Sequence, residues 1–404
     1  MCAQYDIGLE EALLRVLERL TPLPTVSLAV NEAVGLVAAE DCFARVDCPS
    51  VPTSSKDGYA VVWSDLENAS EDRPVKLKVC GTSVAGGSTH ATVTPGTAVK
   101  IMTGARIPDG ADAVIAEEFT SRKDNWVSCL RDSRRNIIER GYDVTKGEAV
   151  ASRGEVLTPA KTGLLAAGGI STVRVHPRPR VGILATGDEL VSPGEPLKAG
   201  QLYASNLVTL VSWLKHFHIE AEVALVGDQA DNLAKVAERL LEHVDVLLTS
   251  GGAWKSDRDL TIKTLEELGG KMVFHRVRMG PGKAVALILL NNKTVFCLPG
   301  GPPSNEMAFL QIALPGLLHL AGRPPVPFEY AEATLTKTVT GQKDWTQFFY
   351  GVRVQNDGRW FVSPVELKSR LQSQASANAL IKIAEGIEQL EEQQQIQVQV
   401  LWRD

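Results

Sequence analysis

Leu9, Leu13, Val16, Leu17 and Leu20 recur at helical spacing and share one face. They predict an amphipathic helix over 8–20, ended by Pro22 and Pro24. From about 47 to 150 the period shortens. Runs such as GYAVVW, VKLKVC, TAVKIM, AVIAEE and WVSCL, split by Gly, Pro, Asn and Asp, predict a compact β module. A helix is expected again over 158–170, where Thr158 can cap and Pro159 takes the first helical position. HPRPR at 176–180 is basic and Pro-rich, and reads as a linker.

Beyond the linker, strand and helix patterns alternate. VGILA (181–185), AEVALV (221–226) and DVLLT (245–249) are apolar runs, followed by helical patterns near 203–217, 231–243 and 259–268. Strands near 272–277, 284–290 and 294–298 lead to a helix over 303–320. Alternation of this kind predicts an α/β layer around a mostly parallel sheet. GRPPVPF (322–328) marks the next boundary, and the runs after it predict a small all-β module. No internal repeat is seen.

Composition narrows the picture. Of 404 residues, 44% are hydrophobic and 22% charged, the balance of a multidomain globular chain. A net charge of −6 gives no reason to expect nucleic acid as partner. The 6 cysteines form no CxxC and read as reduced thiols. No signal peptide and no apolar run of about 18 residues is found, so no membrane association and a cytoplasmic location are expected. His216 and His218 lack the spacing of a helical metal pair, and GPGKA (280–284) lacks the flanking residues of a Walker A loop.

In open α/β sheets, ligands bind beyond the carboxyl ends of the strands. Here those ends run into Thr186-Gly187-Asp188-Glu189, Gly227-Asp228, Ser250-Gly251-Gly252 and Pro299-Gly300-Gly301-Pro302. One such loop is an ordinary tight turn. Four at one edge point to a phosphate-bearing ligand, because glycines let backbone N–H groups approach an anion. Between Glu267 and Glu306 there is no acid, but there are Lys271, His275, Arg276, Arg278, Lys283 and Lys293. Arg276 and Arg278 are expected to share a strand face and Lys283 to stand opposite Ser250. A solvated basic face is the alternative. Asp188-Glu189 and Asp257-x-Asp259 could hold Mg²⁺ with phosphate oxygens, or cap helices.

The order Asp57-Gly58-Tyr59-Ala60, IMTGARIPDGADAVI (101–115) with Glu117-Glu118, ATGDEL (185–190), SGG (250–252) with Asp259, PGK (281–283) and LPGGPPS (298–304) resembles the MoeA family. These are the molybdopterin molybdenumtransferases, a group that includes the E domain of gephyrin. The resemblance spans nearly the whole chain. It implies a discontinuous N-terminal domain (1–46 and 144–176) and an inserted β domain (47–143). It further implies a MogA-like α/β pterin-binding domain (177–324) and a C-terminal small β-barrel (325–404). It implies a homodimer whose site lies between the α/β domain of one subunit and the β insert of the other. The implied reaction takes adenylylated molybdopterin and molybdate, inserts molybdenum and releases AMP with Mg²⁺. A MogA-like adenylylating protein and molybdoenzyme maturation factors are the implied partners.

Carried over by position, Asp57, Thr103 and Asp143 would face the site from the partner subunit, and Glu189 and Asp259 from the α/β domain. Thr186, Gly187, Ser250, Gly251, Gly252 and Lys283 would cradle pterin or phosphate, Pro299 and Pro302 would shape their loop, and Asp188, Glu189 and Asp259 would hold the metal. Several positions depart from the family pattern. Lys56 replaces methionine, Tyr142 a glutamate, Ala204 an aspartate, Gly280 a lysine, Gly301 an asparagine and Tyr350 an arginine. These departures raise a second reading, a non-catalytic paralogue that binds or delivers the pterin as a scaffold. A phosphohydrolase acting on another nucleotide is a third.

Overall fold

The computed structural model describes residues 4–87, 91–130, 134–251, 260–366 and 369–402. The chain forms two compact units, one of Met1–Thr25 with His176–Asp404 and one of Val26–Val175.

The larger unit is built on a seven-stranded sheet. Its order is Gln4–Ile7, Lys271–Val277, Ala286–Leu290, Lys293–Leu298, Val246–Ser250, Val181–Thr186 and Ala221–Val226. Only Ala286–Leu290 runs antiparallel to its neighbours. Val181–Thr186 is buried along its whole length, as expected for a strand covered on both faces. Val246 and Leu248 enter one core with Val181, Ile183 and Phe296, while Leu247 enters the other with Leu184 and Val295. That two-residue alternation places helices Leu9–Arg19, Ser205–His216 and Leu314–Leu320 on one side of the sheet. Helices Ala230–His243 and Leu260–Glu267 lie on the other. The α/β layer therefore appears where the apolar pattern put it.

The sequence reading grouped residues 1–46 with 144–176. In the structure, residues up to Thr25 pack with the α/β layer instead. Gln4–Ile7 extends the sheet beside Lys271–Val277, and Leu9, Ala12, Val16 and Leu20 fill the core that holds Phe296 and Leu314. The helix expected over 303–320 is observed as Pro302–Ala308, a π-helical turn at Phe309–Ala313, and Leu314–Leu320. Pro315 has no N–H to donate, and the wider turn accommodates the interruption.

Past this helix the chain forms a closed barrel. Thr346–Asn356, Arg359–Pro364, Glu329–Leu335, Gln395–Val400 and Ala379–Ile383 pair in that order, and the last returns to the first. Gln311 on the π turn exchanges amide hydrogen bonds of 2.8 and 3.2 Å with Gln399, tying helix to barrel.

The smaller unit contains a six-stranded sheet ordered Thr120–Lys123, Trp126–Cys129, Val75–Ser83, Thr97–Ile101, Gly58–Val61 and Ala113–Ala116. A separate core joins Val30, Leu36 and Ala38 to Val144, Leu157, Leu165 and Val173. Helix Pro159–Ala167 starts as its sequence signals, with Thr158 Oγ1 accepting from the Lys161 N–H. Among the described residues, no helix is long and apolar enough to cross a membrane.

Candidate functional site

A cavity of about 710 Å³ opens in the larger unit beyond the carboxyl ends of Val181–Thr186 and Val246–Ser250. Its size suits a small organic ligand. Thr186, Glu189, Asn206, Ser250, Gly251 and Pro302 line it. Gly251 has φ +102°, and a Cβ there would lie 2.8 Å from the Thr186 carbonyl oxygen. Only glycine lets these two loops pass so closely. The Gly251 N–H donates to the Leu298 carbonyl, which joins the third loop to the same edge.

Two asparagine amides brace this rim. Asn305 Nδ2 donates to Ser250 Oγ at 3.0 Å and to the Pro299 carbonyl at 2.8 Å. Asn206 Nδ2 donates to the Gly300 carbonyl at 2.7 Å. Pro299 is buried behind the rim, whereas Pro302 faces the cavity. Asn206 sits in the first turn of helix Ser205–His216 and Asn305 in that of Pro302–Ala308. Neither was among the residues singled out from sequence, although Asn305 directly follows the LPGGPPS run (298–304).

The carboxylates separate. Glu189 folds back over Gly187 and lines the cavity. Asp188 does not line it; its Oδ1 accepts the Asp228 N–H at 3.0 Å. Gly252, Asp257 and Asp259 lie outside the described residues. Among the described residues, no group of three or more His, Cys, Asp or Glu is gathered in the geometry of a metal site. Among the described lining residues Glu189 is the one carboxylate, and it could supply one ligand to a hard cation.

The basic interval is largely engaged in holding the fold. Arg276 has φ +69° and pairs with Asp6 at 3.2 Å. Arg278 pairs with Glu385 at 2.7 Å and donates to the Asp6 carbonyl. Lys293 donates to the Val244 carbonyl. Lys283 Nζ stands 4.7 Å over the Trp345 ring and is not among the residues that line this cavity. The acids that pair with Arg276 and Arg278 come from distant segments.

Two of the departing positions have clear surroundings. Ala204 is 3% exposed, forms part of the cavity wall and precedes helix Ser205–His216 without a side-chain cap. The Tyr350 hydroxyl donates to Glu306 Oε2 at 2.7 Å, and Trp213 Nε1 donates to Oε1 at 2.7 Å. Gln374 Nε2 adds a third bond at 2.9 Å. Tyr350 is thus turned into the junction of helix and barrel, and burial followed by the Glu306 charge pushes its phenol well up.

In the smaller unit, Asp57 Oδ1 accepts the Thr103 N–H at 2.6 Å and its hydroxyl at 2.9 Å. These bonds, in that order, hold the Asp57 carboxyl below the usual range. A Cβ on Gly58 would lie 1.9 Å from the Ile115 carbonyl, so the residue after Asp57 must be glycine. Asp143 is exposed beside Tyr142, itself 76% exposed, and its N–H donates to the Cys48 carbonyl.

Residues 7–169 match the family model of the MoeA N-terminal region (domain I and II). Residues 182–319 match that of a probable molybdopterin binding domain, and 332–401 that of the MoeA C-terminal region (domain IV). The chain is 36% identical to the molybdopterin molybdenumtransferase of Haemophilus influenzae, over 86% of this chain and 87% of that one. Identity to the enzyme of that name from Bacillus subtilis is 32%, over 97% and 93%. The crystal structure of a molybdopterin biosynthesis MoeA protein from Pyrococcus horikoshii superposes with a TM-score of 0.81 at 31% identity, covering 98% of this chain and 100% of that one.

Proposed function

This chain belongs to the MoeA family, and on that premise we propose that it is a molybdopterin molybdenumtransferase of molybdenum cofactor biosynthesis. The supporting observation is the cavity where the Thr186, Ser250–Gly251 and Gly300–Pro302 loops meet. Adenylylated molybdopterin and molybdate are its substrates in this reading, and AMP leaves as molybdenum is inserted. Thr186 and Ser250 offer hydroxyls to the ligand's polar edge, and Leu190, Leu202 and Leu207 offer apolar surface for the ligand to pack against. Glu189, with Asp259, would hold Mg²⁺ against the ligand's phosphates. When bound, the ion would neutralise charge on the phosphoanhydride.

The chain acts in this reading as a cytoplasmic homodimer, with Asp57, Thr103 and Asp143 of a second copy facing the ligand. A MogA-like adenylylating protein supplies the substrate, and maturation factors of molybdoenzymes receive the product. Lys283 remains a contact for the far end of the ligand in this proposal.

A carrier that binds the pterin without cleaving it is the second reading. The observation favouring it is Ala204, which leaves the cavity wall without a carboxylate where the family has one. Incubation with adenylylated molybdopterin, molybdate and Mg²⁺ separates the two. Magnesium-dependent AMP release is expected, lowered at least about tenfold by Glu189→Gln. Binding without AMP release, beside a competent relative as control, would support the carrier.

A further inference from the structure

We propose that Arg370 is a ligand-binding residue of the strand-end cavity and takes a tetrahedral oxyanion, either a phosphate of the pterin ligand or molybdate. The proposal rests on the reading of this cavity as the pterin site. Among its described lining residues, Arg370 is the one cation and Glu189 the one acid. Arg370 has no carboxylate partner among the described residues. Its guanidinium lies over the third loop: a Cβ on Gly301 would sit 3.9 Å from Arg370 Nη1. Gly301 is where the family pattern has an asparagine, so the arginine occupies the neighbourhood of a missing polar side chain.

The element that carries Arg370 is held in place. Helix Arg370–Ser376 starts behind Ser369, whose Oγ accepts the Gln372 N–H. Its Gln374 donates to Glu306, on the helix whose first residue, Pro302, forms part of the cavity wall. The guanidinium is thereby presented from a braced backbone beside the rim.

Among the described residues, the cations that the sequence placed at this edge do not line the cavity. The family's lysine at Gly280 and arginine at Tyr350 are absent. Arg276 and Arg278 are paired with Asp6 and Glu385. Among the described residues, a multiply charged oxyanion entering the cavity thus meets one guanidinium in its lining, whose planar fork matches two of its oxygens.

Calorimetry on the full chain tests this, with adenylylated molybdopterin as the first probe and molybdate added to that complex as the second. Arg370→Ala is expected to weaken one step at least about tenfold with the melting temperature unchanged, and Arg370→Lys to recover part of the loss. Weakening of the first step assigns Arg370 to phosphate; weakening of the second alone assigns it to molybdate. Unchanged affinities at both steps overturn the proposal and leave the pterin site standing. Failure of the unsubstituted protein to bind the first probe overturns the site, and the role of Arg370 with it.

Discussion

Asp57 ionises more readily than a free aspartate because Thr103 donates both its N–H and its hydroxyl to one carboxyl oxygen. Its folded pKa lies below the unfolded value of about 3.9, so the stability it lends is present above that pH and lost as pH falls through the folded value. Carboxyl NMR titration should show the Asp57 midpoint moving up in Thr103→Ala; an unmoved midpoint would remove the hydroxyl as a cause. Tyr350 shifts the other way. Kept neutral in the fold, it makes stability fall as pH rises past about 10, where the unfolded chain ionises. Tyr350→Phe should remove that alkaline loss while costing about 1–3 kcal/mol at neutral pH, measurable by urea unfolding. Full retention of stability would mean the Glu306 bond contributes nothing. Neither environment was legible in sequence, since both partners, Thr103 and Glu306, are more than forty positions away.

At the scale of elements, helix Ser205–His216 begins at Ala204 without a side-chain cap. Ala204→Asp should supply one and stabilise the protein by about 0.5–2 kcal/mol in chemical denaturation; no gain would show that the carboxyl turns into the cavity instead. The glycine loops were legible because strand–loop–helix order alone brings three of them to one rim. The basic interval misled because sequence shows charges but not their partners. Asp6 and Glu385, which engage Arg276 and Arg278, lie on a strand end and a barrel loop far away in the chain. Arg370 carried no signal at all: it gains meaning only from the barrel's return to the α/β layer.

Across the molecule, the apolar periods anticipated the mostly parallel sheet and a C-terminal all-β module, while the closed barrel was what the family resemblance implied. The grouping of 1–46 with 144–176, also implied by that resemblance, differs from the structure, where Leu9, Ala12, Val16 and Leu20 join the sheet's core. An amphipathic helix does not reveal which core its face fills. The proposed homodimer should scatter light with about twice the 43.6 kDa chain mass at micromolar concentration; a clean monomer would leave the partner's Asp57 and Thr103 without a route to the ligand. The central claim is that this cavity, altered as it is, still transfers molybdenum. Its most direct test is a single-turnover reaction in which AMP released is counted against molybdenum bound to the pterin. One AMP for each molybdenum inserted is the predicted result; retained, uncleaved adenylylated molybdopterin with no molybdenum on the pterin would contradict it.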